Sequence, residues 1–192
     1  MGSVPPPGER SPDAPPEIAI AGRSNAGKSS LLNVIGGRHN LARVSKTPGR
    51  TQRLHFFRER QKGFVLVDLP GFGFARVSRE IKHQLSLEVE AYLDARPTLR
   101  GLVLLLDVRR DPQTEERMLA DFATARRVGL LCVATKVDKL GRAERLRRLH
   151  ALDEAGFGSW LTFSAVSGEG RDAVVQAIER LAGSRIAAGP GS

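Results

Sequence analysis

The sequence predicts an α/β protein: a mixed, mostly parallel sheet of about six strands flanked by helices on both faces. Three observations carry this. Short apolar runs alternate with helix-length amphipathic segments from residue 17 to residue 182. The runs, such as Leu102 to Asp107, are too apolar to leave a face in water, which implies a sheet covered on both sides. Between the first run and the first amphipathic segment stands a glycine turn followed by Lys28 and Ser29, the join expected of a strand, a phosphate-binding loop and a helix.

In order, the expected strands lie at 17–21, 52–58, 64–68, 101–107, 130–135 and 160–163, and the expected helices at 28–35, 79–95, 113–128, 142–155 and 171–182. The polar turn at 59–63 is short enough to make the second and third strands an antiparallel hairpin, so one strand near the edge is reversed. Residues 1–16 and 183–192 are rich in Gly, Pro and Ser and read as a disordered leader and a flexible tail around one domain, 17–182.

Of the 192 residues, 41% are apolar, enough to fill one core. No run approaches the 18 apolar residues of a membrane span, and the Pro-rich start lacks the apolar segment of a signal peptide, so a cytoplasmic, membrane-free protein is expected. The single cysteine, Cys132, lies in an apolar run and reads as a small buried hydrophobe. Thirty Lys and Arg against 21 Asp and Glu leave a net charge of +9, which favours a polyanionic partner without choosing among RNA, DNA and anionic lipid.

The glycine turn, Gly22-Arg23-Ser24-Asn25-Ala26-Gly27-Lys28-Ser29 followed by Ser30, satisfies G-x-x-x-x-G-K-[ST] and makes this a P-loop NTPase domain. Its glycines let successive N–H groups turn inward around phosphates, and the helix that follows aims its positive end at the same anion. Lys28 is expected on the β/γ oxygens and Ser29 on Mg²⁺. Thr135-Lys136-Val137-Asp138 fits T-K-x-D at the end of a buried strand, with Phe163-Ser164-Ala165 at the end of the next. A carboxylate at Asp138 accepts from the guanine N1–H and amino group; adenine offers no such donor pair, so the base should be guanine and the ligands GTP and GDP. Asp68-Leu69-Pro70-Gly71 fits D-x-x-G, with Asp68 holding Mg²⁺ through water and the Gly71 N–H meeting the γ-phosphate. In the loop Thr47-Pro48-Gly49-Arg50-Thr51, Thr51 is the threonine placed to complete the Mg²⁺ shell when the γ-phosphate is present. Two loops that close on a γ-phosphate make a switch of the G-domain kind.

With these elements in order, the chain resembles the TRAFAC class of GTPases, and more narrowly the EngB (YihA/YsxC) family of bacterial ribosome biogenesis. The resemblance rests on the P-loop stretch from Glu17 to Ser30, on Asn40-Leu41-Ala42-Arg43, Pro48-Gly49-Arg50-Thr51-Gln52, Asp68-Leu69-Pro70-Gly71-Phe72-Gly73-Phe74-Ala75, and on Thr135 to Leu140. It implies a GTP/GDP switch in late assembly of the large (50S) ribosomal subunit, with a linked need for normal division and septation. The alternative is a nucleotide-gated binding module of the division machinery in which hydrolysis is incidental. Three departures stand out: the short Pro-rich leader, Ser164-Ala165-Val166 where a double serine is usual, and Thr135 where GTPases in general carry Asn.

Ras-like enzymes orient the attacking water with a glutamine just after D-x-x-G; here Phe72 stands there, so intrinsic turnover should be slow. Asn25 resembles the asparagine that ligates potassium in cation-activated relatives, against the plainer reading of an amide that tightens the loop. Arg109 and Arg110 are expected to stay solvated or pair locally rather than act as an arginine finger. Phe72 and Phe74 either pack under a mobile loop or mark a partner contact. On the helix 142–155, Leu146 and Leu149 should face inward while Arg142, Arg145 and Arg148 line one side, as a solvated face or as phosphate contacts to ribosomal RNA. A monomer is the simplest expectation.

Overall fold

The structure is a computed structural model that describes residues 14–39, 42–46, 54–59, 63–72, 87 and 89–183. Its elements run β1 (Glu17–Gly22), α1 (Lys28–His39), β2 (Ala42–Lys46), β3 (His55–Arg58), β4 (Val65–Asp68), α2 (89–95), β5 (Leu99–Asp107), α3 (Thr114–Ala125), β6 (Gly129–Thr135), α4 (Arg142–Glu154), β7 (Trp160–Phe163) and α5 (Arg171–Gly183). The expected α/β class, flanking helices and hairpin are present, the hairpin as β3 against β4 in the register His55↔Asp68 to Arg58↔Val65.

The sheet has seven strands in the order β2-β3-β4-β1-β5-β6-β7, one more than expected. The addition is β2, which pairs antiparallel with β3 at the sheet edge. Its sequence, ARVSK, is short and charged, a pattern that an edge strand tolerates and a covered strand does not. β3 is antiparallel to β4 as well, and the remaining pairings are parallel, so among the described strands β3 is the reversed one.

Alternation along each central strand feeds two cores. Ile18 and Ile20 of β1 face α1 and α5, meeting Leu31, Ile35, Val174 and Ile178. Ala19 and Ala21 face the opposite side, where Tyr92, Ala123 and Leu152 come from α2, α3 and α4. Cys132 is buried in that second core, as expected, and burial pushes its thiol up to about 12. At the foot of β1, buried Glu17 accepts from Tyr92 Oη at 2.8 Å, Arg96 Nε at 3.2 Å and Thr98 Oγ1 at 3.0 Å. The Arg96 guanidinium also stacks over the Phe56 and Tyr92 rings, so one charged cluster ties α2 and the start of β5 to β1.

Parallel register aligns the ends that matter. Ile20 pairs with Asp68, Gly22 with Leu105, Asp107 with Thr135, and Thr135 with Phe163. The carboxyl ends of β4, β1, β5, β6 and β7 therefore open along one rim, the ligand-binding side of a parallel sheet. Among the described residues, no helix is long and apolar enough to cross a membrane.

Two expectations for α4 are corrected. Leu146 does not face inward; it is 62% exposed, and the turn is held by Leu149 and Leu152 instead. Nor do the arginines form one solvated stripe. Arg145 pairs with Glu169 beyond β7, while Arg148 pairs with Asp111 at 2.8 Å and donates to the Val108 and Arg110 carbonyls. Leu146 lies on the face of α4 turned to solvent, while the arginine side chains are long enough to reach neighbouring loops.

Candidate functional site

The phosphate loop leaves β1 at Gly22, where a Cβ would stand 2.8 Å from the Leu105 carbonyl, so only glycine lets the two strand ends approach. The loop then turns through positive φ at Asn25 (63°) and Gly27 (99°) before α1 begins at Lys28. Asparagine is among the non-glycine residues that tolerate this region best, which suits Asn25 to the turn. The loop is pinned from outside. Thr135 Oγ1, buried at the end of β6, donates to the Ala26 carbonyl at 2.7 Å. The first residue of T-K-x-D thus ties the P-loop to the end of β6.

The D-x-x-G segment lies directly on this loop. The Phe72 carbonyl accepts from the Ser24 N–H at 2.9 Å and from its hydroxyl at 3.3 Å, and Arg23 and Phe72 form a parallel bridge. Gly71 is packed so closely that a Cβ would stand 3.1 Å from Lys28 Nζ and 3.3 Å from the Ser24 nitrogen. The Phe72 ring packs against the core, which matches the packing alternative and leaves nothing there to orient a water.

Asp68 ends β4 with Oδ1 buried and without a hydrogen-bond partner. Burial pushes its carboxyl above the ordinary value, against the pull of Lys28 and His55. An orphaned carboxylate oxygen beside a P-loop lysine suits a hydrated cation, and the exposed Ser29 at the start of α1 supplies a hydroxyl for the same ion. Among the described residues no group of three or more His, Cys, Asp or Glu could hold a metal, so phosphate oxygens would have to complete the shell.

On the base side, Lys136 sits at φ 59° and turns the chain into a short 3₁₀ segment, Val137–Lys139. Ser164 Oγ, fully buried, donates to Asp138 Oδ1 at 2.6 Å and accepts from the Val166 and Ser167 N–H groups. The Ser164 hydrogen bond outweighs burial, and Lys139 assists it, so the Asp138 carboxyl stays below its ordinary value and ionised. A carboxylate fixed by one hydroxyl keeps lone pairs for two further donors.

Asp107, which the motif reading did not single out, joins the two halves. It takes Arg109 in a two-point pair (2.9 and 2.7 Å) and Lys136 Nζ at 3.1 Å. Burial works against its ionisation, but these hydrogen bonds win and hold the carboxyl far below the usual range. Arg109 is therefore locally paired, as expected, and Asp107 could have been found as a lone acid ending an apolar strand. A cavity of about 70 Å³ lies between this cluster and Arg23, Ser24 and Asn25.

The fold thus brings together Gly22, Arg23, Ser24, Asn25, Ala26, Gly27, Lys28, Ser29, Ser30, Asp68, Gly71, Lys136 and Asp138 along one rim. Leu69, Val137 and Phe163, also expected at the site, place their side chains in the core; for Phe163, 1% exposed on β7, only the backbone is near the rim. Pro70 and Ala165 lie in the rim loops. Thr47, Gly49, Arg50 and Thr51 fall outside the described residues, as does Phe74.

A P-loop at β1, D-x-x-G at β4 and a guanine-type carboxylate after β6 define the G domain of a P-loop GTPase. The profile of a family described as 50S ribosome-binding GTPases matches residues 17–136. A probable GTP-binding protein EngB from Geobacter metallireducens is 45% identical over 172 residues, covering 85% of this chain and 81% of that protein. Its counterpart from Geobacter sulfurreducens is 46% identical over 173 residues, covering 86% and 81%. The crystal structure of a probable GTP-binding protein EngB superposes with a TM-score of 0.66 at 21% identity, over 88% of this chain and 99% of that one. The chain belongs to the EngB family of GTP-binding proteins.

Proposed function

We propose that this GTPase is a slow GTP/GDP switch that acts, as a cytoplasmic monomer, in late assembly of the large (50S) ribosomal subunit, with division and septation depending on it. The observation that carries the guanine half is the 2.6 Å bond from Ser164 to an ionised Asp138 on the rim that the P-loop shares. The ribosomal half draws on the description of the matching family, 50S ribosome-binding GTPases.

In this reading the P-loop amides and the α1 N-terminus hold the α- and β-phosphates, and Lys28 reaches the β/γ oxygens. Mg²⁺, when bound, would neutralise phosphate charge; Ser29, Thr51 and, through water, Asp68 would hold it. In this reading a γ-phosphate meets Lys28 and the Gly71 N–H, two groups that stand close together, since a Cβ on Gly71 would be 3.1 Å from Lys28 Nζ. The loop that ends in Phe72 then exchanges its contact with Ser24 for one with phosphate. Phe72 offers no group to orient water, so the chemical step is left to positioning and charge and stays slow.

Co-sedimentation with purified 50S subunits tests the proposal. Binding in a nonhydrolysable GTP analogue that is lost in GDP supports it; equal binding in both rejects the switch. Competition between GTP and ATP tests the base assignment, and a preference for ATP would sink it.

A further inference from the structure

We propose that Asp107 is the positioning residue of the guanine site, anchoring the Lys136 ammonium so that the methylene stem of that lysine is held where the purine ring stacks, a role that rests on the guanine reading above and deepens it. Asp107 is the acid that ends the apolar run of β5, and it is 5% exposed. A carboxylate in such a place is costly unless its oxygens are met. Arg109 alone meets that need. Its Nε and Nη2 donate to Oδ1 at 2.9 Å and Oδ2 at 2.7 Å, and its backbone N–H reaches Oδ1 at 3.2 Å. Lys136 Nζ, 3.1 Å from Oδ2, is a further partner, and the group that gains by the contact is the lysine.

Register brings the two together. Asp107 pairs with Thr135 across β5 and β6, and the Val108 N–H donates to the Thr135 carbonyl at 3.0 Å, so the chain after Thr135 leaves the sheet beside Asp107. Lys136 then stands in the left-handed region, φ 59° and ψ 34°, at the head of the turn that carries Asp138. Glycine or asparagine takes that conformation more easily, so the position uses lysine for its side chain. The residue is held at both ends. Its carbonyl accepts from the Lys139 N–H at 3.0 Å, which fixes the backbone, and Asp107 fixes Nζ. Between these points Lys136 borders the cavity that it shares with Ser24, Asn25 and Ala26 of the P-loop. The stem is an apolar strip suited to a ring face. A free lysine would lose rotamer freedom when a ring orders it; one already tied to Asp107 has lost that freedom on folding. Asp138 meets the base edge through a separate contact, with Ser164 as its partner. Asp107 thus sets how tightly a purine is held, and Asp138 sets which purine is held.

Titration calorimetry on the full chain with GDP and with inosine diphosphate, which lacks the 2-amino group, separates the two roles. Asp107→Asn keeps the shape and removes the charge; it should weaken both nucleotides by about tenfold and leave the ratio of their affinities at the wild-type value. Arg109→Gln leaves the lysine contact in place and should keep both affinities within about twofold. In a Lys136→Met background, where the stem remains but has no ammonium to anchor, Asp107→Asn should add no further loss, a result that a merely structural acid would not give. Should Asp107→Asn fail to fold, Lys136→Met by itself should reproduce the loss for both nucleotides. A changed ratio in Asp107→Asn, an equal loss in Arg109→Gln, a further loss in the Lys136→Met background or wild-type affinity in Lys136→Met would each overturn the inference. A wild type that holds ADP as tightly as GDP would overturn the guanine reading, and this inference with it.

Discussion

Replacing Ser164 by Ala removes one oxygen that serves three partners. Its hydroxyl donates to Asp138 Oδ1 at 2.6 Å and accepts from the N–H groups of Val166 at 3.2 Å and Ser167 at 3.1 Å. A hydrogen bond to a charged group contributes about 1.5–3 kcal/mol; because Asp138 stands at the solvent mouth, the lower figure applies. About 1.5 kcal/mol of lost preorganisation corresponds to roughly tenfold in Kd for GDP. Titration calorimetry with GDP and Mg²⁺ at neutral pH reads this directly. The acid limb gives an independent check. Asp138 titrates below 3.8 first because of Ser164, with burial opposing and Lys139 helping. A depressed carboxylate adds stability and guanine affinity that are present above the ordinary value and lost as the pH falls through the lowered one. Without the serine the value rises, so the variant should lose GDP at a higher pH than the wild type. A Kd within twofold of wild type together with an unmoved acid limb would refute the reasoning, and would mean that the T-K-x-D turn alone orients the carboxylate.

Thr135→Val keeps the shape but removes the tether to the Ala26 carbonyl, at an expected cost of about 1–3 kcal/mol in urea unfolding and a weaker hold on both nucleotides. Glu17→Gln takes the charge from the cluster of Tyr92, Arg96 and Thr98, and chemical denaturation should show a loss of about 3–5 kcal/mol with little change in GDP affinity per folded molecule. If Asn25 supports a monovalent cation, GTP turnover should be faster in K⁺ than in Na⁺ and Asn25→Ala should erase the difference; equal rates in the two salts remove that role and leave the φ of 63° as the reason for the residue.

The chemistry of the phosphate loop was legible because it is local. Gly22 to Ser29 make their turn and their helix start from consecutive residues, so spacing alone specifies the geometry. The same holds for buried strands such as β5, whose apolar run admits no exposed face. What tertiary structure decided lies between residues far apart in the chain. Thr135 meets Ala26 across 109 positions, Ser164 meets Asp138 across 26, and Arg148 leaves its helix for a loop 37 to 40 residues back. Leu146 is exposed and β2 is a strand because of what each element meets when the sheet closes, not because of its own composition. Backbone turns answer to neighbours in sequence, while side-chain hydrogen bonds and edge pairing answer to neighbours in space, which register alone brings together.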